Sequence, residues 1–387
     1  MKTQVQKKTS QQSIKEGNSR LIFNTLVDYQ PISRAGIKKI TKLSATTVST
    51  LVEELIANGL VEECGLTDTT DVGRKGILLA VRNQGAYFLG VAISRSHVRC
   101  DLYDLSFNLV KSIRPKFYSS DEIVTLLLNF IKETEKETDG RLYGVSIGVP
   151  AMVDDEAQRI ISSTVLDILP PENMVEKVKK SVPNASVFMY NNSGFIAYSA
   201  KEAHKDVSTL FSVDIGEGVG AGLVIDGELF TGRNGFAGEF GHISVDYNGK
   251  PCRCGSRGCI EGLVNVPTIL EQIEKVSGRS GLTSAQDAIA VLDSGNRAAK
   301  TVLDDVAKIL AYGLNGVINL FDPELIVISG EIKSFGDYLL KPLKEHLSKM
   351  SLFANSVTVE MYSAEKNAVT LGGAYYAFTD YFGKYDN

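Results

Sequence analysis

No apolar run in the chain reaches the eighteen or so residues needed to cross a bilayer as a helix. The opening stretch MKTQVQKKTSQQSIKEGNSR also lacks the apolar core of a secretory leader. A cytoplasmic protein with no membrane partner is therefore expected. Cysteine is scarce: five in 387 residues, at Cys64, Cys100, Cys252, Cys254 and Cys259. The last three fall within eight positions, which suits a metal better than a disulfide framework. Cys64 and Cys100 stand alone and read as small buried hydrophobes.

What is present is ordinary globular material, 43% hydrophobic and 22% charged, in a chain long enough for two or three domains. The net charge of −5 hides an asymmetry. Residues 1–85 carry 12 Lys and Arg against 8 Asp and Glu, and the remainder carries 29 against 38. A basic head on an acidic body points to the head as the part that would meet nucleic acid.

Residues 1–17 are polar and aperiodic and are expected to form a flexible tail. From Asn18 a helical apolar spacing runs through Leu21, Ile22, Leu26 and Val27 and stops before Pro31. Ser33 is placed to cap a second helix ending near Ile40. Thr41-Lys42-Leu43-Ser44 makes a tight turn, and Ser44 caps a third helix from Ala45 to Asn58, closed by Gly59. Two strands, Leu60–Glu63 and Ile77–Ala80, flank the polar hairpin TDTTDVGRKG. Helix, turn, helix and wing make a DNA-binding head over residues 18–84. The segment LSATTVSTLVEELIANGLVEE resembles the recognition helix and wing entry of bacterial winged-helix repressors. The N-terminal residues of such a helix meet base edges in the major groove, here Ala45, Thr46, Thr47 and Thr50. Arg74 and Lys75 at the wing tip are candidates for phosphate or minor-groove contact, and Lys38, Lys39 and Lys42 for the DNA backbone. A small helical domain making only protein contacts is the alternative for this segment.

From Tyr87 the pattern changes to strands with crossover helices, an α/β arrangement of two similar lobes. Within it, GEFGHISVDYNGKPCRCGSRGCIEGL at 238–263 brings together His242, Cys252, Cys254 and Cys259. One imidazole and three thiolates form a closed set suited to a tetrahedral structural zinc. This GExGH…CxCGxxGCxE pattern resembles the ROK family, which contains bacterial sugar repressors and sugar kinases. The resemblance extends over residues 86–387. It implies an actin-like, hexokinase-like fold, with one lobe near 86–191 plus the C-terminal helix, the other near 192–369, and a sugar between them. It also implies sugar contacts from Asn191, Asn192, Glu239, His242 and Glu261, beside a Gly148-Val149-Pro150-Ala151 loop. Amide, carboxylate and imidazole groups can hold hydroxyls in fixed directions, and a zinc on one nitrogen of His242 would orient the other.

The kinase parts are altered. Family kinases carry a catalytic aspartate directly after the asparagine; here that position is Asn192, whose amide cannot act as a base. The first phosphate loop reads Ala92-Ile93-Ser94-Arg95-Ser96 without the family's DxGGT pattern, and Glu217 replaces the threonine of the second. A carboxylate there repels a triphosphate, so no ATP and no catalysis are expected. The reading is a sugar-responsive repressor acting as a homodimer or dimer of dimers on a double-stranded operator, with structural zinc. The alternatives are an active ROK kinase carrying a DNA-binding head, and a regulator controlled by a protein partner.

Overall fold

The computed structural model describes residues 11–66, 76–163, 165–350, 357–364 and 366–383. Helix α1 (Gln11–Tyr29) starts earlier than the expected boundary at Asn18. Its first turns contain Gln and Lys residues of good helix propensity, and the exposed Lys15 pairs with Glu54 at 2.6 Å. Only residues 1–10 of the expected tail therefore lie outside the described residues. Strand β1 (Ile32–Ser33) leads into α2 (Arg34–Thr41), where the Ser33 hydroxyl accepts the Gly36 amide. Lys42, left-handed at φ 58°, ends α2, and the Ser44 hydroxyl caps α3 (Ala45–Ala57) by accepting the Thr47 amide. These caps place two helices across a tight turn, with Lys42, Leu43 and Ser44 between them, as the sequence implies.

Strands β2 (Val61–Leu66) and β3 (Ile77–Val81) pair antiparallel, and β1 adds to the far edge of β3. Residues 67–75 of the expected wing tip, with Arg74 and Lys75, lie outside the described residues. Cys64 is exposed, correcting the expectation that it is buried, because every residue of β2 after Val61 is exposed; Cys100 is buried as expected.

The body repeats one topology. The first sheet uses β4 (Tyr87–Ile93), β5 (Val98–Asp104), β6 (Leu109–Ile113), β7 (Leu142–Val149) and β10 (Ser186–Asn191). Helix α4 (Ser120–Glu137) crosses between β6 and β7; the hairpin β8 (Met152–Asp154)–β9 (Arg159–Ser162) and α5 (Met174–Ser181) lie between β7 and β10. The strand order is β10-β7-β4-β5-β6, an antiparallel meander extended by two parallel strands. After α6 (Asn192–Ala203) the plan recurs with β11 (Leu210–Ile215), β12 (Val219–Ile225), β13 (Glu228–Phe230), β14 (Leu325–Ser329) and β15 (Thr358–Met361) in the order β13-β12-β11-β14-β15. Helices α7 (Glu261–Val264), α8 (Val266–Ser277), α9 (Ala285–Asp293) and α10 (Arg297–Phe321) precede β14, and α11 (Asp337–Met350) follows it. The central strands β4, β7, β11 and β14 are almost wholly buried, as strands covered on both faces must be.

Helix α12 (Ala368–Phe382) ends the described chain and packs against α6, the two helices that follow the fifth strand of each sheet. The approach needs glycine: a Cβ on Gly372 would sit 1.8 Å from the Phe195 carbonyl oxygen. The opposite side of α12 receives the head. The Phe23 and Phe382 rings stack at 4.1 Å, and Phe88 of β4 meets Phe382 edge-on at 6.2 Å. Asn24 donates to the Gly383 carbonyl at 3.1 Å, and Lys205 beyond α6 pairs with Asp28 of α1 at 2.8 Å. One apolar cluster therefore runs from Leu51 and Val48 of α3 through Phe23 into Ala374 and Ala377 of α12.

Candidate functional site

A cavity of about 570 Å³ opens between the two sheets. Its first wall carries Ser94, Arg95 and the Pro150-Ala151 turn; its second carries Asp214, Glu217, Glu239, His242 and Glu261, with Asn191 and Asn192 between them. All five expected sugar residues line this one space. Their local roles differ.

Asn191 caps α6. Its Oδ1 accepts the Ser193 amide at 2.9 Å and its Nδ2 donates to the Ala151 carbonyl at 3.0 Å. Both ends of the amide are thus spent on fixing the Gly148–Ala151 turn to the start of α6. Asn192 follows as the first helical residue, and its Nδ2 donates to the Ile93 carbonyl at 3.4 Å. Its Oδ1 is buried with no hydrogen-bond partner. A buried acceptor without a donor costs free energy. Glu261 is partly engaged: Oε2 accepts the Val219 amide at 3.2 Å and Oε1 lies 3.3 Å from Arg253 Nη2. Burial pushes the Glu239 carboxyl above its ordinary range, with His242 opposing and the Glu261 charge adding to the rise.

His242 joins cleft and metal centre. Its Nδ1 lies 3.7 Å from Cys252 Sγ, while Nε2 faces Glu239 Oε2 at 3.8 Å. The donor atoms of His242, Cys252, Cys254 and Cys259 all lie within 4.8 Å of one another, a group that could hold a metal ion. The Cys254 and Cys259 sulfurs are 3.6 Å apart. Tetrahedral zinc with thiolate bonds of ~2.3 Å has edges of about 3.8 Å, so the donor set fits. The loop can turn this tightly because the Cys252 amide donates to Ser256 O at 2.8 Å and Gly258 adopts φ 60°, where a Cβ would lie 1.9 Å from the Asp246 carbonyl oxygen. Burial pushes the Cys259 thiol up to about 12, whereas backbone hydrogen bonding from Ser256 lowers Cys254.

The Ser94-Arg95-Ser96 loop and the loop containing Glu217 face each other across the cleft. Arg95 Nη2 reaches Glu217 Oε2 at 3.6 Å, Arg95 Nε reaches Asp167 Oδ2 at 3.8 Å, and Nε also donates to the Val165 carbonyl at 3.1 Å. Arg95 and Glu217 lie more than a hundred residues apart in the chain. Their opposite charges, one on each loop, were the available signal for a pair that only the sheet packing could bring together. Asp214 also lines the cleft; it is half-buried, and desolvation raises its carboxyl despite a 3.0 Å bond from Ser329.

On the head, Ala45, Thr46 and Thr50 lie exposed on α3, as do Lys38, Lys39 and Lys42 beside it. Thr47 is half-buried and its hydroxyl shares a 2.8 Å hydrogen bond with Ser44, so its first commitment is to the cap. Among the described residues, no helix is long and apolar enough to cross a membrane.

The sequence is 27% identical to the xylose repressor of Caldicellulosiruptor bescii, over 93% of this chain and 94% of that protein. It is 27% identical to the xylose repressor of Bacillus subtilis with the same coverage. Its identity to the DNA-binding transcriptional repressor Mlc of Escherichia coli is 24%, over 93% of this chain and 92% of that one. A crystal structure of a ROK family transcriptional regulator, a homologue of E. coli Mlc, superposes with a TM-score of 0.82 at 25% identity, over 96% of this chain and 97% of the other. A ROK hexokinase from Thermus thermophilus shares the fold alone, with a TM-score of 0.65 at 18% identity over 76% of this chain and 98% of that one. The similar full-length proteins are thus named repressors, and the kinase lacks a counterpart to about a quarter of this chain. The ROK family profile matches residues 88–379, and the chain belongs to the ROK family.

Proposed function

We propose that the protein is a transcriptional repressor whose grip on an operator is set by a sugar bound between the lobes. The observation that carries the reading is the shared apolar core. Recognition helix α3, α1 and sensor helix α12 form one cluster, so a movement of α12 against α6 is transmitted to the head. The sugar site is Asn192, Glu239, His242 and Glu261. Asn191 acts behind it by holding the Pro150-Ala151 turn, and Asn192 ties the start of α6 to the end of β4 through the Ile93 carbonyl. Zinc held by His242, Cys252, Cys254 and Cys259 supplies no chemistry. With Nδ1 of His242 towards Cys252 and the metal it would hold, Nε2 would face Glu239 and the cleft.

Phosphoryl transfer is not part of the function. The base position holds an amide, and Arg95 and Glu217 meet across the place where the phosphate loops face each other. DNA is read by Ala45, Thr46 and Thr50 of α3, with Arg74 and Lys75 of the wing on phosphates. Two heads set about 34 Å apart read two half-sites, and the sugar changes their spacing. The test is a thermal-shift screen with aldoses, amino sugars, sugar phosphates and ATP with magnesium, followed by operator selection from genomic fragments. A shift with one sugar and none with ATP supports the reading. Turnover of ATP in the presence of any of the sugars refutes it.

A further inference from the structure

The cleft is larger than one sugar ring needs. Its volume is about 570 Å³. Even at the roughly 30 Å³ that a water molecule takes up per non-hydrogen atom, a hexose of about a dozen such atoms fills at most about 360 Å³. Small-molecule sites cover most of their ligand's surface, so a single ring leaves part of this cavity to water. The first-lobe wall also carries polar groups that the sugar site does not use, namely Ser94, Ser96, His97 and Arg114. His97 Nδ1 shares a 2.8 Å hydrogen bond with Ser96 Oγ, and its Nε2 has no partner among the described residues. The exposed Arg114 guanidinium likewise makes no ion pair among the described residues, so its donors can turn to a ligand without breaking one.

Charge decides what kind of ligand fills the space. Four carboxylates, Asp214, Glu217, Glu239 and Glu261, line the cavity against the two guanidiniums of Arg95 and Arg114. Arg95 is already shared between Asp167 and Glu217. A phosphate or carboxylate on the ligand therefore meets more repulsion than attraction. Hydroxyls both donate and accept, and so suit carboxylate, imidazole and guanidinium alike. Pro150, Met152 and Val165 add apolar surface for the C–H face of a ring. We infer that the effector is a neutral oligosaccharide of two linked rings, one held at Glu239, His242 and Glu261 and the other against His97 and Arg114. The inference rests on the sugar-sensor reading and names the class of sugar that is sensed.

The test is calorimetry on the full chain with matched probes: xylose and xylobiose, glucose with cellobiose and maltose, and N-acetylglucosamine with chitobiose. In one of these sets the disaccharide is expected to bind at least ~10-fold more tightly than its own monosaccharide. In Arg114→Ala that preference is expected to shrink to within about threefold. Circular dichroism and zinc content report that the variant is folded. A monosaccharide that binds as tightly as every disaccharide overturns the inference and leaves the sugar-sensor reading in place. An Arg114→Ala protein that keeps the full preference also overturns the placement of the second ring. Binding of none of these sugars, single or linked, overturns both the inference and the reading beneath it.

Discussion

Replacing Phe382 with alanine removes the ring that seats the head on α12. Phe382 is 6% exposed, stacks on Phe23 at 4.1 Å with the planes 19° apart, and touches Phe378 at 4.9 Å. Phe→Ala in a packed core costs ~3–5 kcal/mol. Phe382 closes the last turn of its helix, where the chain relaxes more easily than in mid-core, so ~3 kcal/mol is the expected loss. Coupling between two ligand sites on one protein is typically ~1–3 kcal/mol, or about 5–150-fold in affinity. The seam lost with Phe382 is therefore as large as the coupling it carries. In fluorescence anisotropy with a selected operator, the sugar effect on affinity is expected to fall below about twofold. Sugar binding by calorimetry and zinc content stay at wild-type values. Phe382→Leu, which keeps most of the apolar volume, is expected to restore part of the response. A Phe382→Ala protein that shows the loss of stability but keeps the full sugar response would refute transmission through α12.

Other consequences can be measured separately. Asn192→Asp restores a carboxylate at the base position, yet no sugar-dependent ATP turnover is expected, because Ser94-Arg95-Ser96 and Glu217 remain; detectable turnover would show that the loops are competent. The Arg95–Glu217 pair is 53% and 69% exposed, so a double-mutant cycle on sugar affinity is expected to give at most ~1 kcal/mol, falling further in high salt. Cys259→Ser is expected to abolish zinc retention and with it the sugar-induced thermal shift. In the intact protein zinc must displace the Cys259 proton, so zinc affinity should weaken as pH falls, by about tenfold per unit for each proton released. Asp214 provides a stability test. Its carboxyl is raised by burial, so the folded state holds the proton more tightly than the unfolded chain and loses stability as pH rises from the ordinary value of 3.8 through the raised one. Asp214→Asn is thus expected to raise the melting temperature at pH 7, with the gain shrinking towards pH 4; an unchanged melting temperature at pH 7 contradicts this.

Legibility in the sequence followed the range of the interactions. Ser33, Ser44 and Gly59 announced the ends of the head helices because capping is local, and the caps form where expected. His242 and the three cysteines were legible because metal ligation demands particular donors at short spacing. Asn191 was recognisable as part of a motif, but its engagement with Ala151 depends on a turn 40 residues away. The early start of α1 was missed because its first turns lack apolar periodicity, and the Lys15–Glu54 pair closes only after α3 is in place. Least legible was the seating of the head. The segment AVTLGGAYYAFTDYF is apolar around most of its circumference, so its pattern does not say that one side meets α6 and another meets Phe23 of α1. The cross-cleft meeting of Arg95 and Glu217 likewise needs both sheets.

The central claim is that a sugar in the cleft acts on DNA and is not phosphorylated. One titration tests it most directly: operator anisotropy in the presence of the sugar identified by thermal shift, with ATP and magnesium included and the sugar recovered afterwards. The account predicts at least about a fivefold change in operator affinity and sugar recovered unaltered. Operator affinity independent of the sugar, or recovery of a phosphorylated product, would contradict it.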